Sequence, residues 1–208
     1  MFTRDYKNSA PGEFFHIYNR GNAKEDVFVD ENDFQFFLLR LRQNLVPSAD
    51  VHRHFRPLPP ESFDLIAYCL MPNHFHLLLK QNKDISTGKL LGKVCTSYGM
   101  YFNKKYKRVG HIFQDQFKQI NIDSNKYLTW LSAYIHNNPV VAGLVQNPTH
   151  WRWSSYSKFT HPVLDDFISS DVILEQFSKV QDYISFVDDA RKTLGDNIPE
   201  SFLLDQEM

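Results

Sequence analysis

Apolar positions along the 208-residue chain change period several times, and each change predicts an element. FFHIYNRG (14–21) alternates and closes on a turn signal, as a strand does. In DENDFQFFLLRLRQNL (30–45), Phe34, Phe37, Leu38, Leu41 and Leu45 recur at helical spacing, behind an Asp30 cap with Asp33 in the first turn. SADVHRHFRPLPPES (48–62) reads as a polar, proline-bearing connection. FDLIAYCLM (63–71) and HFHLLLK (74–80) predict a hairpin about Pro72-Asn73, since proline fixes φ and asparagine tolerates a left-handed turn. A helix is expected from Ser86, with Leu90, Leu91, Val94, Cys95, Tyr98 and Phe102 facing inward. Its Gly88, Gly92 and Gly99 each cost roughly 1 kcal/mol relative to alanine, which suggests close packing there. Gly110 should break it, and HIFQDQFKQINI (111–122) reads as a fourth strand. Ser124 should cap a helix over NKYLTWLSAYIHN, stopped by Pro139, with WRWSSYSKF (151–159) a packed irregular segment.

Strand, helix, strand, strand, helix, strand, helix is the order of an α+β, ferredoxin-like split βαβ fold. It implies a four-stranded antiparallel sheet with helices on one face and a further helix, carrying Tyr134, free to cover the other. Residues 1–160 read as that domain, and 161–208 as an acidic, helical C-terminal extension.

The net charge of −1 changes this picture only when divided. Residues 1–163 hold 20 Lys+Arg against 13 Asp+Glu, whereas 164–208 hold 3 against 11. A basic body suits a polyanion, and an acidic tail could mask it, although solvated faces give the same count. No apolar run reaches the ~18 residues of a membrane span, and the start lacks the pattern of a signal peptide. The two cysteines, Cys69 and Cys95, lie in apolar surroundings and read as reduced thiols, so a cytoplasmic location is expected.

MPNHFHLLLK (71–80) carries the candidate chemistry. On a strand His74 and His76 share one face, while Phe75, Leu77 and Leu79 point to the other. Such a pair can hold one metal ion with further ligands, though most strand histidine pairs are solvated or hydrogen-bonded. On the helix over 125–137, Tyr134 and Asn138 are four apart and project side by side. Proline at 139 makes the placement of Asn138 the less certain of the two.

These pieces together resemble the IS200-like single-tyrosine transposases, members of the HUH endonucleases, and especially their REP-associated branch. The resemblance rests on FHIYNRGN, MPNHFHLLL, YFNKKYKRVGHIFQDQFK, AYIHNNPVVAGLV and WRWSSY in that order, over about 14–159. It implies His74, His76 and Asn138 as ligands of Mg²⁺ or Mn²⁺, and Tyr134 as a nucleophile. It implies cleavage of single-stranded or hairpin DNA through a 5′-phosphotyrosine intermediate with a free 3′-hydroxyl, and a possible homodimer. Mixed N/O ligation favours Mn²⁺ somewhat. A phenol, with pKa ~10, leaves far more readily than an alkoxide, which makes the phosphotyrosine bond reversible.

Other groups compete. Tyr98, Tyr101, Tyr106 and Tyr127 read as core or base-stacking rings. Lys104, Lys105, Lys107 and Arg108, with Lys118 beyond them, suit phosphate contacts around Tyr106, or simply complement a helix end. Asn19 and Arg20 are weaker candidates in a loop after the first strand. His16, His111 and His136 read as structural or polar surface residues. Two other functions stay open: a non-cleaving, domesticated hairpin-binding regulator, and a metal-stabilised structural domain.

Overall fold

A computed structural model describes residues 9–47, 56–161 and 167–194. The elements are β1 (Phe14–Arg20), α1 (Glu31–Leu45), β2 (Phe63–Met71), β3 (His74–Gln81), α2 (Thr87–Tyr106), β4 (Lys118–Ile122) and α3 (Asn125–Val141). They are followed by α4 (Tyr156–Thr160), α5 (Asp171–Leu174) and α6 (Val180–Leu194). The strands form one sheet in the order β2-β3-β1-β4, with each neighbouring pair antiparallel. This is the split βαβ arrangement expected from the order of elements. The connection over 48–55, the residues before 9, and 195–208 lie outside the described residues.

The two faces of the sheet are set by alternation. Phe75, Leu77 and Leu79 are fully buried on the α1/α2 side, where the Phe75 ring lies 5.0 Å from Phe37 of α1. Phe37 also meets Tyr98 of α2 edge-on, and Phe36 stacks on Tyr101 with ring centres 4.0 Å apart. The opposite face belongs to α3, which lies over β2 and β3. Helix α1 starts where its sequence says it should: the Asp30 side chain accepts from Asn32 and Asp33 N–H, and Asp33 reaches back to Asp30 N–H, a complete capping box.

Three expectations about local structure are corrected. The fourth strand covers only Lys118–Ile122, because Ile112 and Phe113 both turn inward and break the alternation before it. Pro139 does not stop α3, which continues to Val141. A proline deletes one intrahelical bond, and here it does so in the last turn. Its own carbonyl still accepts Leu144 N–H at 2.9 Å, and the chain leaves through Gly143 at φ +71. The α2 glycines do not mark close approach: a Cβ at Gly92 would meet nothing within 4 Å, and at Gly99 the nearest atom is a side-chain carbon of Ile112 at 3.8 Å. They line a cleft of about 890 Å³ between α2 and residues 110–117.

Residues 167–194 of the acidic extension are built into the core. Ile173, Tyr183 and Val187 are fully buried, and α6 packs along the outer side of α3. Tyr183 is within hydrogen-bond distance of Ser132 Oγ (3.1 Å) and His136 Nδ1 (2.8 Å), and the other His136 nitrogen meets Ser155 Oγ at 2.8 Å. Burial pushes the His136 imidazole down to about 3, so it sits there neutral. Asn137 Nδ2 donates to Val187 O at 2.8 Å. Removing the Tyr183 hydroxyl strands buried polar partners on α3, so Tyr183→Phe should lower stability by about 1–3 kcal/mol. Thermal unfolding will measure it, and an unchanged melting point would show that these bonds contribute nothing net. Residues 151–155 edge β2, with Leu70 N–H donating to Trp153 O and Ser155 N–H to Tyr68 O, before turning into α4.

Candidate active site

Register assembles the site. In β1 and β3, Arg20 lies opposite His74 and Tyr18 opposite His76, while Lys118 of β4 lies opposite Tyr18. Directly paired residues share a face. Arg20, Tyr18, His16, His74, His76 and Lys118 therefore all belong to the α3 side of the sheet. Arg20 is the last residue of β1 rather than part of a loop, and Asn19, on the other face, donates to Asp115 O.

Helix α3 lowers its side chains onto this row. Ser124 caps it by accepting from Tyr127 N–H, and Leu128, Leu131 and Ile135 bury its inner stripe. Tyr134 and Asn138 follow at its edge, both half-buried. The Tyr134 ring meets His76 edge-on with centres 5.7 Å apart, and stacks on Trp130 at 5.7 Å. Asn138 Oδ1 lies 3.2 Å from His74 Nε2. The His74 and His76 rings stand 5.0 Å apart and nearly perpendicular. A single chain brings all four side chains together.

Hydrogen bonding determines which nitrogens are presented. The Pro72-Asn73 turn is tied down by loop 21–28: Gly21 N–H donates to Asn73 O, and Val27 and Phe28 N–H to Pro72 O. Gly21 has to be glycine, because a Cβ would sit 2.0 Å from Glu25 O. Asn73 Nδ2 donates to Lys24 O, which leaves its Oδ1 to accept from His74 Nδ1 at 2.6 Å. In a neutral imidazole the second nitrogen is then a lone pair. Both His74 nitrogens thus meet oxygen acceptors, Nδ1 that of Asn73 and Nε2 that of Asn138; a doubly protonated ring would donate to both, and in a neutral ring with its proton on Nδ1 the Nε2 lone pair and Asn138 Oδ1 would be free to share a cation. His76 is 2% exposed, and burial pushes its imidazole down to about 3, which keeps it in the neutral form that ligates metals. Its Nδ1 lies 3.0 Å from His16 Nε2.

Two imidazoles and an amide oxygen make a mixed N/O donor set; among the described residues no group of three His, Cys, Asp or Glu side chains could hold a metal ion. Asn73 and His16 escaped sequence reasoning as parts of the site. Asn73 looked like a turn residue, and the tertiary partner of His16 is sixty residues away. Their presence on the strand face and beside the HxH pair was the available signal.

The basic positions separate. Arg20 and Lys118 share the histidine face, the Lys118 ammonium lying 5.8 Å from the Tyr18 ring centre. The run at the end of α2 sits in the layer on the other side of the sheet. Lys104 and Lys107 are exposed there, and Arg108 pairs with Glu25 at 2.8 Å. Lys105 is engaged within the chain: its ammonium bridges Asp30 (2.6 Å) and the buried Asp33 (2.7 Å). Burial works against its charge, but the two carboxylates outweigh this and hold its pKa above the ordinary lysine range. Tyr106 donates to Asp33 as well, and Tyr98 to Val27 O, so these phenols serve the α1/α2 layer. Lys105→Ala should therefore cost stability, about 1–3 kcal/mol, by leaving the buried Asp33 Oδ1 without its charged partner. DNA affinity, read beside Lys104→Ala, should barely move; a large loss of affinity at full stability would return Lys105 to the binding surface.

With this geometry in place, comparison with known proteins is decisive for one segment. Residues 58–138, which include both histidines, Tyr134 and Asn138, match the family described as transposase IS200 like. The IS200-like resemblance read from the sequence is thus shown over that stretch. The chain is also 30% identical over 108 residues to a curated protein of Haemophilus influenzae named as a REP-associated tyrosine transposase, covering 46% of this chain and 60% of that relative's length. Among solved structures, a REP-associated tyrosine transposase bound to a REP hairpin superimposes with a TM-score of 0.58 at 16% identity, over 83% of this chain and 92% of that one. At that identity the likeness is one of fold. No helix among the described residues is long and apolar enough to cross a membrane.

Proposed function

We propose that this chain is a metal-dependent transposase that cuts and rejoins single-stranded DNA beside hairpins through a 5′-phosphotyrosine intermediate. The observation that carries the reading is the convergence of Tyr134, His74, His76 and Asn138 on one sheet face of one chain. The IS200-like match over the same segment, and the hairpin-bound relative of like fold, support it.

His74, His76 and Asn138 would hold the ion. When bound, Mg²⁺ or Mn²⁺ would supply Lewis-acid polarisation of the scissile phosphate. The Tyr134 oxygen attacks phosphorus, the P–O3′ bond breaks, and the strand is left joined through its 5′-phosphate. The proton lost by the phenol is balanced by the one taken up by the departing 3′ oxygen. Attack by a 3′-hydroxyl reverses the step, with the phenolate as leaving group and no external energy source. Trp130 stacked on Tyr134 and the His76 edge restrict the ring, so the nucleophile is positioned before substrate arrives. Arg20 and Lys118, on the same face, offer cationic contacts to flanking phosphates.

Incubating the full chain with labelled hairpin-bearing single-stranded DNA and Mn²⁺ should give a covalent protein–DNA adduct and a freed 3′-end. Chelation should abolish it and Mn²⁺ restore it. Hairpin binding with no adduct in any divalent metal would overturn the proposal in favour of a non-cleaving DNA-binding regulator.

A further inference from the structure

We propose that His16 is a positioning residue that holds His76 in the tautomer able to ligate a divalent cation; this rests on the metal-site reading above. His16 is wholly buried on β1, diagonal to His76 across the β1/β3 pair. Its Nε2 is 3.0 Å from His76 Nδ1, and the rings are 5.2 Å apart and within 19° of parallel. The Tyr134 ring closes the group edge-on at 6.4 Å from His16.

One proton serves that contact. If His16 Nε2 carries it, His76 Nδ1 accepts, His76 must bear its own proton on Nε2, and that nitrogen has no lone pair for a metal. If His76 Nδ1 carries it and His16 Nε2 accepts, His76 Nε2 is a ligand. The second state requires His16 to be protonated on Nδ1, an atom with no hydrogen-bond partner among the described residues. No other contact there dictates the tautomer, so cation binding at His76 and the proton position on His16 are linked. His74 is braced in the same sense by Asn73 Oδ1, an oxygen that can only accept. For His76 the brace is an imidazole, which can switch. A bracing partner on the far nitrogen of a ligating histidine is worth about 10- to 100-fold in metal affinity. A buried imidazole is otherwise costly in a sheet face that Leu or Phe would fill.

The test uses the full chain, Mn²⁺ binding by calorimetry, and histidine ¹⁵N NMR with Mg²⁺. His16→Leu should weaken Mn²⁺ binding about 10- to 100-fold with an intact circular dichroism spectrum. His16→Gln, whose amide oxygen can accept, should recover most of that loss. In the Mg²⁺-loaded wild type, His16 should carry its proton on Nδ1 and His76 on Nδ1. Wild-type binding matched by His16→Leu, an equal loss in His16→Gln, or a His16 protonated on Nε2 in the loaded protein would overturn this inference alone. The NMR arm decides even if His16→Leu fails to fold. A wild type that binds neither Mn²⁺ nor Mg²⁺ would overturn both this inference and the metal-site reading.

Discussion

Tyr134→Phe should lower covalent adduct formation by at least about three orders of magnitude, while hairpin binding and melting temperature stay close to wild type. The substitution removes one oxygen. The ring that remains still stacks on Trp130 and meets His76 edge-on, so α3 keeps its seat on the sheet. No neighbouring phenol is placed to substitute easily. Tyr98 and Tyr106 are bonded into the α1/α2 layer, and Tyr101 stacks on Phe36 there. Tyr18 is the informative control: its ring lies 5.9 Å from His76 on the same face, but it is 3% exposed. Tyr18→Phe should retain adduct formation. Denaturing gels of labelled hairpin DNA with Mn²⁺ will compare the two variants. Undiminished adduct from Tyr134→Phe would move the nucleophile elsewhere, and a loss confined to Tyr18→Phe would name it.

Ending the chain at residue 166 should prevent cooperative folding. Ile173, Tyr183 and Val187 are fully buried, with Ile168 and Ala190 nearly so. Each large apolar side chain contributes about 1.5–3 kcal/mol by burial. Their joint loss is comparable to the whole stability of a domain, about 5–15 kcal/mol. The cut also uncovers the outer side of α3, taking Tyr183 from His136 and Val187 O from Asn137. The extension is therefore more than the mask over a basic body that its acidity suggests. Denaturant unfolding followed by circular dichroism will decide: a truncated chain with a sharp transition near that of wild type would show the extension to be dispensable.

Period and capping chemistry are local, and they were legible wherever local rules decide. The Asp30 cap, the helical stripe of α1, the hairpin at Pro72-Asn73 and the order of elements that yields the split βαβ sheet all follow from neighbouring residues. Where tertiary contacts compete, local reading failed. Ile112 and Phe113 are drawn into the core and shorten β4, and the last turn of α3 absorbs Pro139. Lys105 shows the same limit on the surface, since the basic run in the sequence gives no sign of the carboxylate partners that another helix supplies.

By itself the sequence determined that His74 and His76 share a face, because strand alternation is strict, and that Tyr134 and Asn138 project together, because helix period is. Only the tertiary structure decided that these two pairs meet. That depends on α3 crossing β2 and β3 on the face opposite α1 and α2, held there by α6. It also decided that His16 meets His76, a contact between residues sixty apart that only strand pairing creates. Side-chain direction is encoded every second or every fourth residue. The neighbour it finds is encoded by packing of the whole chain.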